Sequence, residues 1–166
     1  MKLFLEERGI NIPKVGTIVE VSKRELPFMK DAWKFNWRQL YNIPNARCYK
    51  LVAEESPYII EGLLMLSLVN KEMVYMNNIE VAPHNFGKNG RYINVAACLI
   101  AFACHKSFED GKGYYRGCLS FKSKTELISL YQKKYGAEIA RGHEMFFPPN
   151  VGKQHISNHL IFNEKK

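Results

Sequence analysis

The sequence has no apolar run long enough to cross a membrane, and its first residues, MKLFLEERGI, carry charge too early for a secretory signal. Membrane-spanning and secreted classes are set aside, and a cytoplasmic location is expected. Cysteine is sparse. Cys48, Cys98, Cys104 and Cys118 include no C-x-x-C pair, and the two that share a predicted helix stand at i and i+6, which are not surface neighbours. Buried, reduced thiols are expected rather than disulfides. Repeats, low-complexity tracts and internal linkers are also missing, so the 166 residues read as one domain covering 1–166. Basic runs of five or more are absent as well, although the net charge is +8. No recognition helix, finger or stacking motif accompanies the scattered cations, so a nucleic-acid partner is not expected. A diffuse positive surface, or attraction for a small polyanionic cofactor, accounts for the charge, with a basic nucleic-acid-binding module as an alternative.

What the sequence does have is clear hydrophobic periodicity. Residues 17–21 alternate as a short strand, and residues 26–41 read as a helix with Met29, Trp33 and Trp37 at a spacing of four. Residues 47–53 and 58–69 predict two strands. Asn70-Lys71 predicts a turn into a further strand over 72–81, and these two long strands form a hairpin. Residues 94–108 predict a helix apolar on nearly every face, ended by Gly111 and Gly113. A strand is expected over 115–121. Ser123 or Thr125 is expected to cap a helix that Gly136 stops near Tyr135. Short strands follow at 138–141 and 144–147, Pro148-Pro149 breaks the chain, and residues 151–162 are weakly helical. A hairpin followed by strand, helix, strand predicts a mixed sheet with helices on both faces.

The most informative stretch is NNIEVAPHNFGKNGRYINVAACLI, residues 77–100. It begins as a strand, breaks at Pro83, crosses a loop rich in Gly, Asn and basic residues, and enters the apolar helix. The helix start supplies unpaired N–H donors and the positive end of a dipole, an arrangement that binds phosphate.

Here the chain resembles the GNAT superfamily of acyl-CoA-dependent N-acetyltransferases. Arg91-Tyr92-Ile93-Asn94-Val95-Ala96 is similar to the family's Q/R-x-x-G-x-G/A signature, with Asn94 where a glycine is usual. Ile79-Glu80-Val81-Ala82-Pro83 resembles the strand-end pattern L-x-V-x-P. Leu130 to Ala137 resembles F-Y-x-x-x-G-F with one extra residue before the glycine. The loop from Pro83 to Arg91 is longer than the family spacing. The resemblance implies an α+β fold with a mixed, mostly antiparallel central sheet of about six to seven strands, flanked by helices on both faces.

It also implies transfer of an acetyl group from acetyl-CoA, as acyl-donor cosubstrate, to the amine of a small molecule or protein. The backbone N–H groups of Tyr92, Ile93, Asn94, Val95 and Ala96 would hold the pyrophosphate, with the Arg91 side chain pairing either with phosphate or with a carboxylate. The Val81 N–H would face the thioester carbonyl, where a fixed donor stabilises an oxyanion. Tyr131 is the implied acid for the departing thiolate, and it also reads as a core tyrosine because Ile128, Tyr131 and Tyr135 share a helix face. Glu80 is the base candidate by position, and it also reads as a solvated or ion-paired strand carboxylate. Trp33, Phe35, Trp37 and Tyr41 read either as core or as an acceptor pocket. No metal site is expected; His155 and His159, at i and i+4, lack a third ligand, and they and His84 read as surface residues. A CoA-binding module without turnover is an alternative that the departures at Asn94 and the long loop motivate.

Overall fold

Alternating apolar and polar residues build a nine-stranded sheet in the computed structural model, which describes residues 1–163. The strands are β1 (Lys2–Leu5), β2 (Lys14–Glu20), β3 (Ala46–Ala53), β4 (Gly62–Val69), β5 (Met73–Val81), β6 (Leu119–Lys122), β7 (Glu138–Arg141), β8 (Glu144–Phe147) and β9 (Leu160–Ile161). Their order across the sheet is β7-β8-β6-β5-β4-β3-β2-β1-β9. Every pairing is antiparallel except that of β5 with β6. Two strands exceed the six or seven expected from the sequence. β1 opens the chain, and β9 closes the sheet by pairing with it, Lys2 opposite Ile161.

The hairpin of β4 and β5 turns at Asn70 and Lys71, both with positive φ (51° and 61°). Such a turn matches the twist of the strands it joins. The helices are α1 (Trp37–Leu40), α2 (Val95–Asp110), α3 (Ile128–Tyr135) and α4 (Pro149–His159). α2 packs so closely on β4 that a Cβ on Gly62 would lie 2.7 Å from Val95 and 2.9 Å from Leu99, so only glycine fits there. α3 ends at Gly136, whose φ of 75° is the left-handed cap a glycine supplies at least cost.

Two apolar cores lie on opposite faces of the sheet, since successive strand residues point opposite ways. Leu64 and Leu66 of β4 join α2, Phe121 and Phe147 on one face, whereas Leu63 and Met65 join Trp33, Trp37 and Leu26 on the other. Cys48, Cys98 and Cys104 are buried and unpaired, and burial pushes each thiol up to about 12.

Several expectations need correction. The helix expected over 26–41 is instead one 3-10 turn, Met29–Asp31, and the four-residue α1, after an earlier 3-10 turn at Lys23–Glu25. Pro27 disfavours helical backbone at Leu26, which is extended, and Ala32 sits in the left-handed region at φ 72°. The tryptophans nevertheless reach the core, because their burial and not helix propensity fixes this segment. The strand expected from residue 58 starts at Gly62, and that expected from 115 starts at Leu119, behind a 3-10 turn at Gly113–Tyr115. A 3-10 turn at Thr125–Leu127 precedes α3, and neither Ser123 nor Thr125 is its cap. The last segment is a firm helix, α4, which starts at Pro149 and packs across α2, its Gly152 lying against Cys104. His155 Nε2–H donates to the Tyr135 carbonyl at 2.6 Å and ties α4 to the end of α3.

Candidate active site

A bulge shapes the site. Met65 pairs with Asn78 but Leu66 with Met76, which leaves Asn77 as an extra residue on β5. The Ser67 hydroxyl holds the bulge by donating to Asn77 Oδ1 at 2.7 Å. Bulges bend a strand and increase its twist. Beyond this one β5 parts from β6, which pairs with it at Tyr75 and Met76.

Val81 lies past the parting point. The Ala82 N–H donates to the Glu61 carbonyl at 2.9 Å, and Glu80 stands opposite Leu63. Alternation along an antiparallel ladder therefore turns the Val81 N–H away from β4 and into the gap. Pro83, without an N–H, then ends the strand.

The gap opens into a cavity of about 550 Å³, within the range of small-molecule sites. It runs through the sheet from one face to the other. On the α2 face it is walled by Ala96, Ile100, Tyr131 and Tyr135, and on the opposite face by Ala32, Lys34 and Phe35. Val81 and Glu80 lie between them, so the structure brings Tyr131, Glu80, Val81 and Ala96 to one cavity. The Tyr131 ring rests 4.7 Å from that of Phe121, and burial, with a smaller effect of Tyr135, raises its hydroxyl above the usual tyrosine range.

Glu80 is neither solvated nor ion-paired as one sequence reading had it. The residue is 8% exposed, and its carboxylate accepts the N–H of Lys34 at 2.7 Å, that of Phe35 at 3.1 Å and the Trp37 indole N–H at 2.9 Å. Those three donors take up most of the carboxylate's acceptor sites. The arrangement fits a clamp on the 32–37 segment better than a proton acceptor.

The loop before α2 also differs from the expected cradle. Arg91 faces carboxylates, Glu7 at 3.1 Å and Glu55 at 3.4 Å. The Tyr92 N–H donates to Asn85 Oδ1 and the Ile93 N–H to the Glu6 carbonyl, both at 2.9 Å. Asn94 precedes the helix at φ −118°, outside the left-handed region that the substituted glycine suggested. Its side chain turns to the N-terminal segment, accepting from the Glu6 N–H at 2.9 Å and donating to the Phe4 carbonyl at 3.0 Å. The first intrahelical bond runs from Cys98 to Asn94. The first-turn N–H groups of Val95, Ala96 and Ala97 thus remain for an anion.

Sequence reasoning passed over Glu61. It is fully buried, and its Oε2 meets Asn85 Nδ2 and His84 Nε2, each at 2.6 Å. It fastens the long loop to the start of β4, and His84 is part of that fastening, not a plain surface histidine. A lone Glu inside an apolar run was the available signal. Among the described residues no group of three or more His, Cys, Asp or Glu could hold a metal ion, and no helix is long and apolar enough to cross a membrane.

No protein-family model matches the sequence, and no curated protein matches it. Solved structures do match. The KacTA–DNA complex aligns at 13% identity over 86% of this chain and 99% of that one, with a TM-score of 0.61. AtaTR bound with acetyl-CoA aligns at 16% identity over 84% and 96%, with a TM-score of 0.59. A GNAT family acetyltransferase from Elizabethkingia anophelis, with acetyl-CoA bound, aligns at 20% identity over 76% and 78%, with a TM-score of 0.53. The chain has the GNAT acetyltransferase fold.

Proposed function

We propose that this chain, built on the GNAT fold, is an acetyl-CoA-dependent N-acetyltransferase. One observation carries the reading: the Val81 N–H is directed into the gap between β5 and β6, in a cavity that Tyr131 also lines. Acetyl-CoA is the donor. The first turn of α2 takes its pyrophosphate through the N–H groups of Val95, Ala96 and Ala97, and Ala96 keeps that approach free of bulk.

The chain's residues then divide the work. The acceptor nitrogen adds to the thioester carbonyl, and Val81 donates to the oxygen as negative charge develops there. Collapse of this adduct re-forms the carbonyl and breaks the C–S bond. The Tyr131 hydroxyl gives its proton to the departing thiolate, and the proton lost by the amine returns through solvent to the Tyr131 oxygen. Glu80 holds the wall of the cavity through its bonds to Lys34, Phe35 and Trp37.

A CoA-binding module without turnover is the second reading. It is favoured by the Tyr92 and Ile93 donors being engaged within the protein and by Arg91 facing Glu7. Calorimetric titration with acetyl-CoA, beside a thiol-release assay with amines, separates the two. Binding with thiol release supports the transferase, and binding without it the module. Ala96→Glu puts bulk and negative charge against the phosphates and should weaken acetyl-CoA by about tenfold or more. Unchanged affinity in that variant would place the donor elsewhere.

A further inference from the structure

The two mouths of the cavity differ in what they offer. On the α2 face the helix start serves the donor's phosphates, so an acceptor comes in from the opposite face, past Lys34 and Phe35. Glu80 is the one carboxylate in the lining, and its oxygens are spent on Lys34, Phe35 and Trp37. A cationic acceptor would meet only that one carboxylate, buried behind its three N–H donors. Cations, by contrast, are in place. The Lys34 backbone is pinned by Glu80, and its ammonium lies 4.1 Å from the centroid of the Phe86 ring. Lys122, also in the lining, follows Phe121 on β6; Phe121 belongs to the core on the α2 face, so strand alternation turns Lys122 to the Lys34 face. Among the described residues neither lysine has a carboxylate within ion-pair distance.

We propose that the acceptor amine carries an anionic group, a carboxylate or a phosphate, which Lys34 and Lys122 select. This rests on the acetyltransferase reading. Both side chains are exposed, so their replacement leaves the cores untouched. A polyamine such as spermidine, the substrate named for the SpeG chimera of the same fold (16% identity, TM-score 0.56), is the class this mouth disfavours.

The test compares phosphoethanolamine, β-alanine, neutral β-alaninamide and spermidine as acceptors for the parent, Lys34→Glu and Lys122→Glu. In the parent, kcat/KM for an anionic amine should exceed that for β-alaninamide by about tenfold, with spermidine last, and added salt should shrink the preference. Phosphoethanolamine against β-alanine tells a phosphate from a carboxylate. Each charge reversal should lower the ratio of anionic to neutral acceptor by about tenfold while leaving the acetyl-CoA affinity within about twofold. A variant that loses acetyl-CoA affinity as much as acceptor preference assigns that lysine to the donor and overturns the proposal. So does a parent that binds acetyl-CoA yet acetylates the anionic amines no faster than the others, or not at all. A parent that does not bind acetyl-CoA defeats the acetyltransferase reading, and this proposal with it.

Discussion

Tyr131 carries the sharpest residue-scale prediction. Its ring packs on Phe121 and its hydroxyl shares the cavity with Val81, so Tyr131→Phe keeps the packing and removes the proton. Acetyl-CoA affinity should stay near the parent value while kcat falls by about 10²-fold, the usual cost of a lost general acid. Burial raises the Tyr131 hydroxyl, so the acid form persists to higher pH than for a free tyrosine. A fall of kcat at alkaline pH caused by this group should therefore lie above pH ~10 and vanish in Tyr131→Phe. If steady-state rates and thermal melts are both unchanged in the variant, Tyr131 is packing alone. At the same scale Glu80 illustrates a reversal: sequence position beside the reacting carbonyl suggested a base, but its donors leave it a structural anchor.

The segment between β2 and β3 is held by side chains where helix propensity fails. Glu25 closes its first 3-10 turn by accepting from the Ser22 N–H at 2.9 Å and hydroxyl at 3.1 Å, and it pairs with Lys50 on β3. The Lys50 ammonium first, then the Ser22 N–H, pull the carboxyl down to about 2. A carboxyl depressed on folding contributes stability above its unfolded value, ~4.5, and loses it as pH falls through the folded one. Because this carboxylate is 42% exposed, solvent screens the pair and the effect is modest. Glu25→Gln should melt about 2 °C below the parent at neutral pH. The gap should close between pH ~4.5 and ~2. Melts of both proteins across that window check the sign, and a gap that persists at the acid end would mean that the charge is not what Glu25 contributes.

Across the whole molecule, Asn94 joins distant parts of the chain. Its amide links the start of α2 to Phe4 and Glu6, and the neighbouring backbone bonds from Arg8 to Arg91 and from Ile93 to Glu6 extend the seam. The Arg91–Glu7 and Lys14–Glu7 ion pairs lie beside it. Asn94→Ala leaves a part-buried N–H and carbonyl unsatisfied and should cost about 2 kcal/mol. For a chain of this size that lowers Tm by roughly 6 °C. Acetyl-CoA affinity should hold within about twofold, since the side chain turns away from the cavity. Thermal melts and calorimetry on the one variant read both quantities. A variant that keeps its Tm and loses acetyl-CoA would show that Asn94 serves the donor instead.

Strong local signals in the sequence determined the β4–β5 hairpin, the apolar α2 with its glycine stop, the Gly136 cap and the strand-loop-helix around Val81 and Ala96. Hydrophobic period, turn residues and caps act within a few positions, so they can be read along the chain. Tertiary structure decided the rest. β1 and β9 are too short to signal themselves and form by pairing with each other's edges and with β2. The 32–37 segment takes its path from Glu80, which lies on a strand far along the sequence. The Tyr92 and Ile93 donors were committed by Asn85 and Glu6, and Arg91 by Glu7, contacts that no spacing rule anticipates. The gap itself needs a bulge on one strand, a parting from another and a proline to end it, and only the folded sheet brings those three together.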